Sequence, residues 1–88
     1  MKEITDELDL HGLTIDEAIP LVDEFLYKSF RAHKIRIWVI HGKGTGILRE
    51  SVRRYLSKHM LVRTCVTAES SHGGNGATQV DLVDSIDT

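Results

Sequence analysis

The chain has 88 residues, 41% hydrophobic and 27% charged, which predicts one small globular domain spanning residues 1–88, with a core at about 7–83 and short flexible ends. No apolar run reaches the ~18 residues of a membrane span, and the polar start lacks the apolar stretch of a signal peptide. We therefore expect a cytoplasmic protein that does not contact membranes. The single cysteine, Cys65, excludes a disulfide within the chain and is predicted to be a reduced core thiol.

The net charge of −2 hides a strong segregation of charge along the chain. Ten of the eleven basic residues lie between Lys28 and Arg63, with Glu50 as the single acid among them. A charge run of this kind usually forms a solvated face, but clustered Lys and Arg also bind phosphate. We favour phosphate binding, because such a block is the electrostatic footprint of a nucleic-acid-binding protein.

Residues 8–11 alternate apolar and polar side chains, which predicts a strand with one buried face. Asp9 and His11 then point together to the other face. Gly12 ends the strand. After it, Thr14 and Glu17 form the pattern of a capping box that begins a helix.

Apolar residues recur at helical spacing from Ile15 to Phe30, which predicts one buried helix face. Pro20 lies inside this pattern, where it removes a backbone donor, so we expect a bend or a late regular start. The run 35–40 is β-branched and almost continuously apolar, as in a central strand. Since strand, helix and strand in this order imply a parallel pair, His11 and His41 should leave the sheet at the same edge.

A second helix follows residue 46, with His59 as a partly buried filler on its inner side. Residues 62–68 predict a third strand, a turn-rich loop follows at 69–76, and residues 78–82 return as an antiparallel last strand. The predicted order βαβαββ gives a two-layer α+β sandwich of the α/β class, with a four-stranded mixed sheet and two helices. Trp38 and Tyr55 are expected to be largely core.

Three of the five histidines are followed directly by glycine, at His11, His41 and His72. Imidazole titrates near neutral pH, and glycine lets the backbone pass close to a ligand, so the pair suits a site for a polar or anionic group. If the third strand is parallel to the first two, all three pairs converge at one edge of the sheet.

The turn at residues 41–46 leads from a strand into a helix and contains three glycines. Such a turn presents backbone N–H groups at the positive end of a helix, which cradles phosphate, and Lys43 and Arg49 add full charges. The glycine spacing fits neither the dinucleotide fingerprint nor the P-loop, so we expect no NAD, no ATP and no other small-molecule cofactor.

Asp9 can hold the imidazole of His11, which would then serve phosphodiester cleavage as general base or acid, with His41 or Lys43 stabilising the phosphate charge. The alternative is that Asp9 bonds the turn at Gly12 and His11 only packs beside it. Both stay open. The histidines lack the short spacings of zinc ligands, so we predict no protein metal site. No cofactor is required, although Mg²⁺ held through Asp9 and phosphate oxygens is compatible with the residues.

Three segments resemble the motifs of the small MutS-related (Smr) domain: residues 8–12, residues 41–48 and residues 74–78. The resemblance covers roughly residues 7–82. It implies a fold like the C-terminal domain of translation initiation factor three. It also implies an activity as a nicking endonuclease on DNA or an RNA endonuclease, or a role on or near ribosomes.

The resemblance assigns Asp9 and His11 to the motif implicated in cleavage and residues 42–44 to the glycine-rich motif linked to nucleic-acid binding or activity. We predict an endonuclease domain that recognises the shape of DNA or RNA. The alternative is a non-catalytic RNA- or ribosome-binding module. The predicted site comprises catalytic Asp9, His11 and His41, and nucleic-acid-binding Gly42, Lys43, Gly44, Gly46, Arg36, Arg49, Arg53, His72 and Asn75.

Overall fold

The computed structural model describes residues 5–86, and its elements follow the predicted order βαβαββ. No helix in this range is long and apolar enough to cross a membrane. Two single 3₁₀ turns, Ser70–His72 and Gly74–Gly76, lie in the loop before the last strand. The elements are β1 (Glu7–Asp9), α1 (Ile15–Arg31), β2 (Arg36–Ile40), α2 (Ile47–Ser57), β3 (Val62–Thr67) and β4 (Ala77–Leu82).

The four strands form one mixed sheet in the order β1-β2-β4-β3. β1 and β2 pair in parallel, with Asp9 opposite Ile40. β4 runs antiparallel to both β2 and β3. β3 is therefore parallel to β1 and β2, which is the condition for the three His-Gly pairs to lie at one edge of the sheet. The loops that follow these three strands leave the sheet at one edge, which we call the carboxyl edge.

Both helices pack on one face of the sheet and share a single core with alternate strand residues. Burying each large aliphatic side chain of this core contributes about 1.5–3 kcal/mol. The opposite face of the sheet, here called the open face, carries the strand side chains that point away from the helices. The fully buried members of the core include Leu10, Val22, Leu26, Ile37, Val39, Val52, Leu56 and Val80.

The capping box at the start of α1 forms as predicted. The Thr14 hydroxyl accepts from the Glu17 N–H at 3.2 Å, and Glu17 Oε1 accepts from the Thr14 N–H at 2.9 Å. The bond from the Thr14 N–H, and then the 3.1 Å bond from the Thr14 hydroxyl to Glu17 Oε1, lower the pKa of the Glu17 carboxyl. The helix begins at Ile15 and continues through Pro20. The expected late start was therefore wrong, because the cap fixes the first turn before the proline is reached.

Trp38 lies half-buried on the open face and not in the core. The strand period of two explains this correction, because Ile37 and Val39 take the fully buried positions of β2. Tyr55 is also only half-buried, and Cys65 packs partly buried against the core. The predicted flexible ends fall largely outside the described residues, although Asp84 of the tail pairs with Arg63 at 3.3 Å.

Candidate functional site

Two of the three His-Gly turns meet at the carboxyl edge. The imidazole of His11 lies over Gly42, so closely that a Cβ added to Gly42 would stand 3.0 Å from His11 Cδ2. The Gly76 carbonyl accepts from the backbone N–H groups of His41, at 3.0 Å, and Gly42, at 2.9 Å. The loop before β4 is therefore fastened directly to the glycine-rich turn.

A cleft of about 300 Å³ opens between these turns. The start of α2 belongs to its wall, where the N-cap residue Gly46 has a φ of 87° and offers no capping side chain. The N–H of Ile47 has only a 3.4 Å contact with the Thr45 hydroxyl. The first turn thus keeps donors and a positive dipole end for an anion. The cleft is lined by His11, Gly12, Leu13, Leu48, Arg49 and residues 41–46.

Lys43 and Arg49 bring positive charge to this cleft. The Lys43 stem packs over Gly76, where an added Cβ would lie 3.3 Å from Lys43 Cγ. Neither cation forms an ion pair with an acid within residues 5–86. Folding therefore neutralises other parts of the basic block and leaves the cleft positive. The neutralised pairs are Lys28–Glu24, Lys34–Asp6, Arg36–Asp81 and Arg63–Asp84.

Asp9 holds the backbone of His11 and makes no hydrogen bond to its imidazole among the described residues. Asp9 Oδ1 accepts from the His11 N–H at 2.9 Å. This geometry resembles the alternative in which Asp9 bonds the turn, although the bonded N–H belongs to His11 and not to Gly12. The residue His11 is exposed, so its ring stands at the cleft with access to a ligand.

His41 is buried, with 5% of its surface exposed, and both its ring nitrogens are engaged within the protein. Nδ1 lies 3.0 Å from the Gly42 carbonyl, and Nε2 lies 2.9 Å from the Thr78 hydroxyl. A carbonyl only accepts, so we assign the proton to Nδ1, and the Thr78 hydroxyl then donates to Nε2.

Burial lowers the pKa of His41. The hydrogen bond to Gly42 opposes this effect, while the charges of Arg49 and Arg53 add to it. The ring is therefore neutral at pH 7 and has no nitrogen free for a substrate. In the structure the ring holds the glycine-rich turn in place, and this geometry does not support the predicted catalytic role of His41.

Arg53 is also used inside the protein. Its Nε donates to the Thr78 hydroxyl at 3.1 Å, and its Nη2 donates to the Thr67 hydroxyl at 2.6 Å. These bonds tie α2 to β3 and β4 and complete a chain from Arg53 through Thr78 to His41. Arg53 does not line the cleft and threonine hydroxyls accept from two of its donor groups, so its contact with phosphate stays a prediction.

Arg36 lies at the start of β2, at the opposite end of the strand from His41. Its guanidinium binds Asp81 through two hydrogen bonds of 2.7 and 3.2 Å, and this pairing lowers the pKa of the Asp81 carboxyl. The structure therefore does not bring Arg36 to the cleft, where the sequence analysis had grouped it. No local feature of the sequence identifies Asp81 as its partner, and its contact with nucleic acid stays a prediction.

The third His-Gly pair shares the carboxyl edge but not the cleft. His72 stacks on Trp38 with ring centroids 4.1 Å apart and planes 6° apart. Trp38 belongs to the open face, so the His72 ring lies on that face and does not line the cleft. Asn75 is exposed in the neighbouring 3₁₀ turn and does not line the cleft. The His11-Gly12 and His41-Gly42 pairs and Gly76 therefore meet at the cleft, whereas His72 does not.

Thr78 and Gly76 hold the glycine-rich turn in place, a role that the sequence did not predict for them. Thr78 is fully buried yet polar, and it joins His41 to Arg53. The available signals were the Smr-like motif at residues 74–78 and the position of Thr78, two residues after the glycine-rich segment 73–76 and near the start of a strand. That pattern reads equally well as ordinary strand chemistry, because threonine favours strands.

His59 is the partly buried filler that its spacing predicted, with its side chain 7% exposed. Its Nδ1 accepts from the Leu61 N–H at 3.1 Å, and its Nε2 lies 2.9 Å from Asp23 Oδ1. Asp23 also accepts from the Tyr55 hydroxyl, and these two bonds lower the pKa of Asp23. Burial, and secondly the hydrogen bond to Asp23, raise the pKa of Tyr55 to about 12. Within residues 5–86, no three His, Cys, Asp or Glu side chains gather as a metal-binding group.

The structure is a two-layer α+β domain with a mixed sheet. Its cleft brings the exposed imidazole of His11 to a glycine-rich turn, two cations and an uncapped helix start. A model of the Smr domain matches residues 8–83, so the chain belongs to the Smr domain family. It is 44% identical over 81 residues to "Endonuclease MutS2" of Pelotomaculum thermopropionicum, covering 92% of this chain and 10% of that protein. "Endonuclease MutS2" of Lactiplantibacillus plantarum is 38% identical over 79 residues, which cover 90% of this chain and 10% of that protein.

Solved structures agree with this assignment. The crystal structure of the Smr domain of Thermus thermophilus MutS2 has a TM-score of 0.86 and 37% identity, covering 90% of this chain and 99% of that one. YdaL, a stand-alone small MutS-related protein from Escherichia coli, has a TM-score of 0.83 and 30% identity, and the match covers 88% of this chain and 63% of YdaL. The predicted α+β fold with a mixed sheet is confirmed. The chain spans about a tenth of the length of the MutS2 relatives it matches.

Proposed function

We propose that this chain is a nucleic-acid-binding endonuclease domain that cleaves phosphodiesters of DNA or RNA in the cleft at the carboxyl edge. The observation that carries the proposal is the exposed ring of His11 above Gly42, next to the uncapped start of α2. The relatives named as endonucleases support it, and so does the positive charge left in the cleft.

The backbone N–H groups at the start of α2 would bind a phosphate, with Lys43 and Arg49 neutralising its charge. His11 would accept the proton of the attacking hydroxyl, or donate a proton to the oxygen that leaves when the P–O bond breaks. Asp9 keeps the His11 backbone fixed through its 2.9 Å hydrogen bond. His41 contributes by position, since its neutral ring joins the turn to Thr78.

This proposal favours recognition by shape over recognition by base sequence. The cleft ends at the first turn of α2, and its donors are backbone amides, Lys43 and Arg49. Groups of this type contact phosphate and carry no direct sequence information. Nicked, branched and single-stranded substrates of one sequence should therefore be cleaved to different extents, whereas sequence changes within one shape should have small effects.

The test is cleavage of such a substrate panel by wild-type protein, together with binding at increasing salt. Lys43→Gln should weaken binding to all substrates and reduce the salt slope by about one phosphate contact. Lys28→Gln is the matched control, because Lys28 pairs with Glu24 on α1 and leaves the cleft unchanged. Equal effects of the two variants would contradict the placement of phosphate in the cleft.

A non-catalytic RNA- or ribosome-binding module is the second candidate, and one observation favours it. Asp9 bonds the backbone of His11, so the described residues do not show a preformed carboxylate–imidazole pair. This candidate predicts salt-dependent binding that survives His11→Ala and falls with Lys43→Gln, without cleavage of any substrate in the panel. The same assay therefore separates the two functions.

A further inference from the structure

Trp38 lies in the middle of the open face, on a row of residues that crosses all four strands. In this row Glu7 is opposite Trp38, Trp38 is opposite Gln79, and Gln79 is opposite Val66. Val66 is 49% exposed, and neither helix covers this side of the sheet. Trp38 is the only tryptophan of the chain. It is half-buried on the open face and does not belong to the core between the sheet and the helices.

The His72 ring extends this surface outward by stacking face to face on the indole. The loop that carries His72 is held by its own backbone, because the Glu69 carbonyl accepts from the N–H groups of His72, at 2.8 Å, and Gly74, at 2.9 Å. His72 is only half-buried, so part of its ring remains accessible. The stack is therefore a preorganised aromatic platform.

The platform is continuous with the proposed phosphate site. The loop that carries His72 ends at Gly76, whose carbonyl binds the turn at His41 and Gly42. Along β2, Trp38 precedes His41 by three residues, which is about 10 Å of extended chain. The indole N–H is buried and has no hydrogen-bond partner among the described residues, so the platform offers π surface and not a donor from Trp38.

We propose that the Trp38–His72 stack binds an unpaired nucleobase next to the phosphate held in the cleft. The base stacks on the accessible face of His72 and continues the stack begun by Trp38. A flat π surface accepts any base, which agrees with recognition by shape and adds a preference for substrates with unpaired bases near the bound phosphate. This inference rests on the proposed function, because it assigns a base to the nucleic acid that the cleft would hold.

The experiment compares a short single-stranded oligonucleotide with an otherwise identical oligonucleotide that lacks its bases. Dissociation constants are measured by anisotropy, and Trp38 emission reports directly on the stack. Wild-type protein should bind the base-bearing strand about 10-fold more tightly and show a change in emission with that strand alone. His72→Ala should bring the affinity ratio close to one, and His72→Phe should restore it.

Lys43→Gln separates this inference from the proposed function. It should weaken binding to both strands and leave their affinity ratio unchanged. Circular dichroism and thermal unfolding verify that each His72 variant is folded. The inference is overturned if wild-type protein binds both strands equally, or if a folded His72→Ala protein keeps the wild-type ratio. Lys43-dependent binding without a base preference would overturn the platform alone, whereas the absence of all binding would overturn the proposed function as well.

Discussion

Thr78→Val tests the hydrogen-bonded chain that supports the glycine-rich turn. Valine matches the shape of threonine but lacks the hydroxyl, so the substitution removes the group that bridges His41 and Arg53. In the structure this hydroxyl lies 2.9 Å from His41 Nε2 and 3.1 Å from Arg53 Nε, and Thr78 is fully buried.

The expected loss of stability follows from what the two partners can do without the hydroxyl. His41 is buried, so its Nε2 would lose its partner at a cost of about 1–3 kcal/mol. Arg53 is half-buried and keeps its 2.6 Å bond to Thr67, so its share should be about 0.5 kcal/mol. Together these effects lower the free energy of unfolding by about 2 kcal/mol, or roughly 8–16 °C in Tm for a domain of this size.

Urea unfolding at pH 7 measures this change, with the midpoint and slope analysed together. Thr64→Val is the matched control, because Thr64 is exposed on β3 and its hydroxyl has only a 3.5 Å contact with Asp81. The control should change the free energy of unfolding by less than about 0.5 kcal/mol. A Thr78→Val protein as stable as the control would show that the Thr78 hydroxyl does not stabilise the contact between His41 and Arg53.

Three further predictions concern the same site. Burial lowers the pKa of His41, so below about pH 6.5 the unfolded chain takes up a proton that the native state does not. The free energy of unfolding should therefore decrease as the pH is lowered. His41→Gln should remove part of the loss of urea stability between pH 7 and 5, and an unchanged pH slope would oppose this. Gly42→Ala should lower the free energy of unfolding in urea by about 1–2 kcal/mol, because the φ of Gly42 is 84° and the new Cβ would contact His11. Gly44→Ala is the control, because the Cβ added at Gly44 would meet no atom within 4 Å. Since Lys43 and Arg49 can stabilise phosphate charge, cleavage should persist in EDTA, whereas a loss of cleavage that Mg²⁺ restores would show that the reaction requires a metal ion.

The fold could be predicted because each element has a local signal. Periods of two and 3.6 residues identify the strands and helices, and the capping box at Thr14 fixes where α1 begins. Parallel pairing of β1 and β2 then follows from chain order and brings His11 and His41 to one edge. This part of the site needed no knowledge of individual contacts.

The rest depends on partners that are distant in sequence. Arg36 and Arg53 are both basic residues of one block, but Asp81 binds the first and two threonines bind the second. His72 follows the same His-Gly pattern as His11, but the conformation of its loop directs it onto Trp38. Charge and motif therefore identified candidates, whereas only the packing decided which of them face the cleft.

The single-turnover cleavage rate of His11→Ala, measured with saturating protein alongside the dissociation constant, shows whether His11 transfers a proton in the cleft. His33→Asn is the control, because His33 is exposed after α1 and its φ of 61° suits asparagine. If His11 transfers a proton in the cleft, its loss should slow cleavage about 10²- to 10⁴-fold while the dissociation constant stays nearly unchanged. Cleavage by His11→Ala at the wild-type rate would contradict the claim.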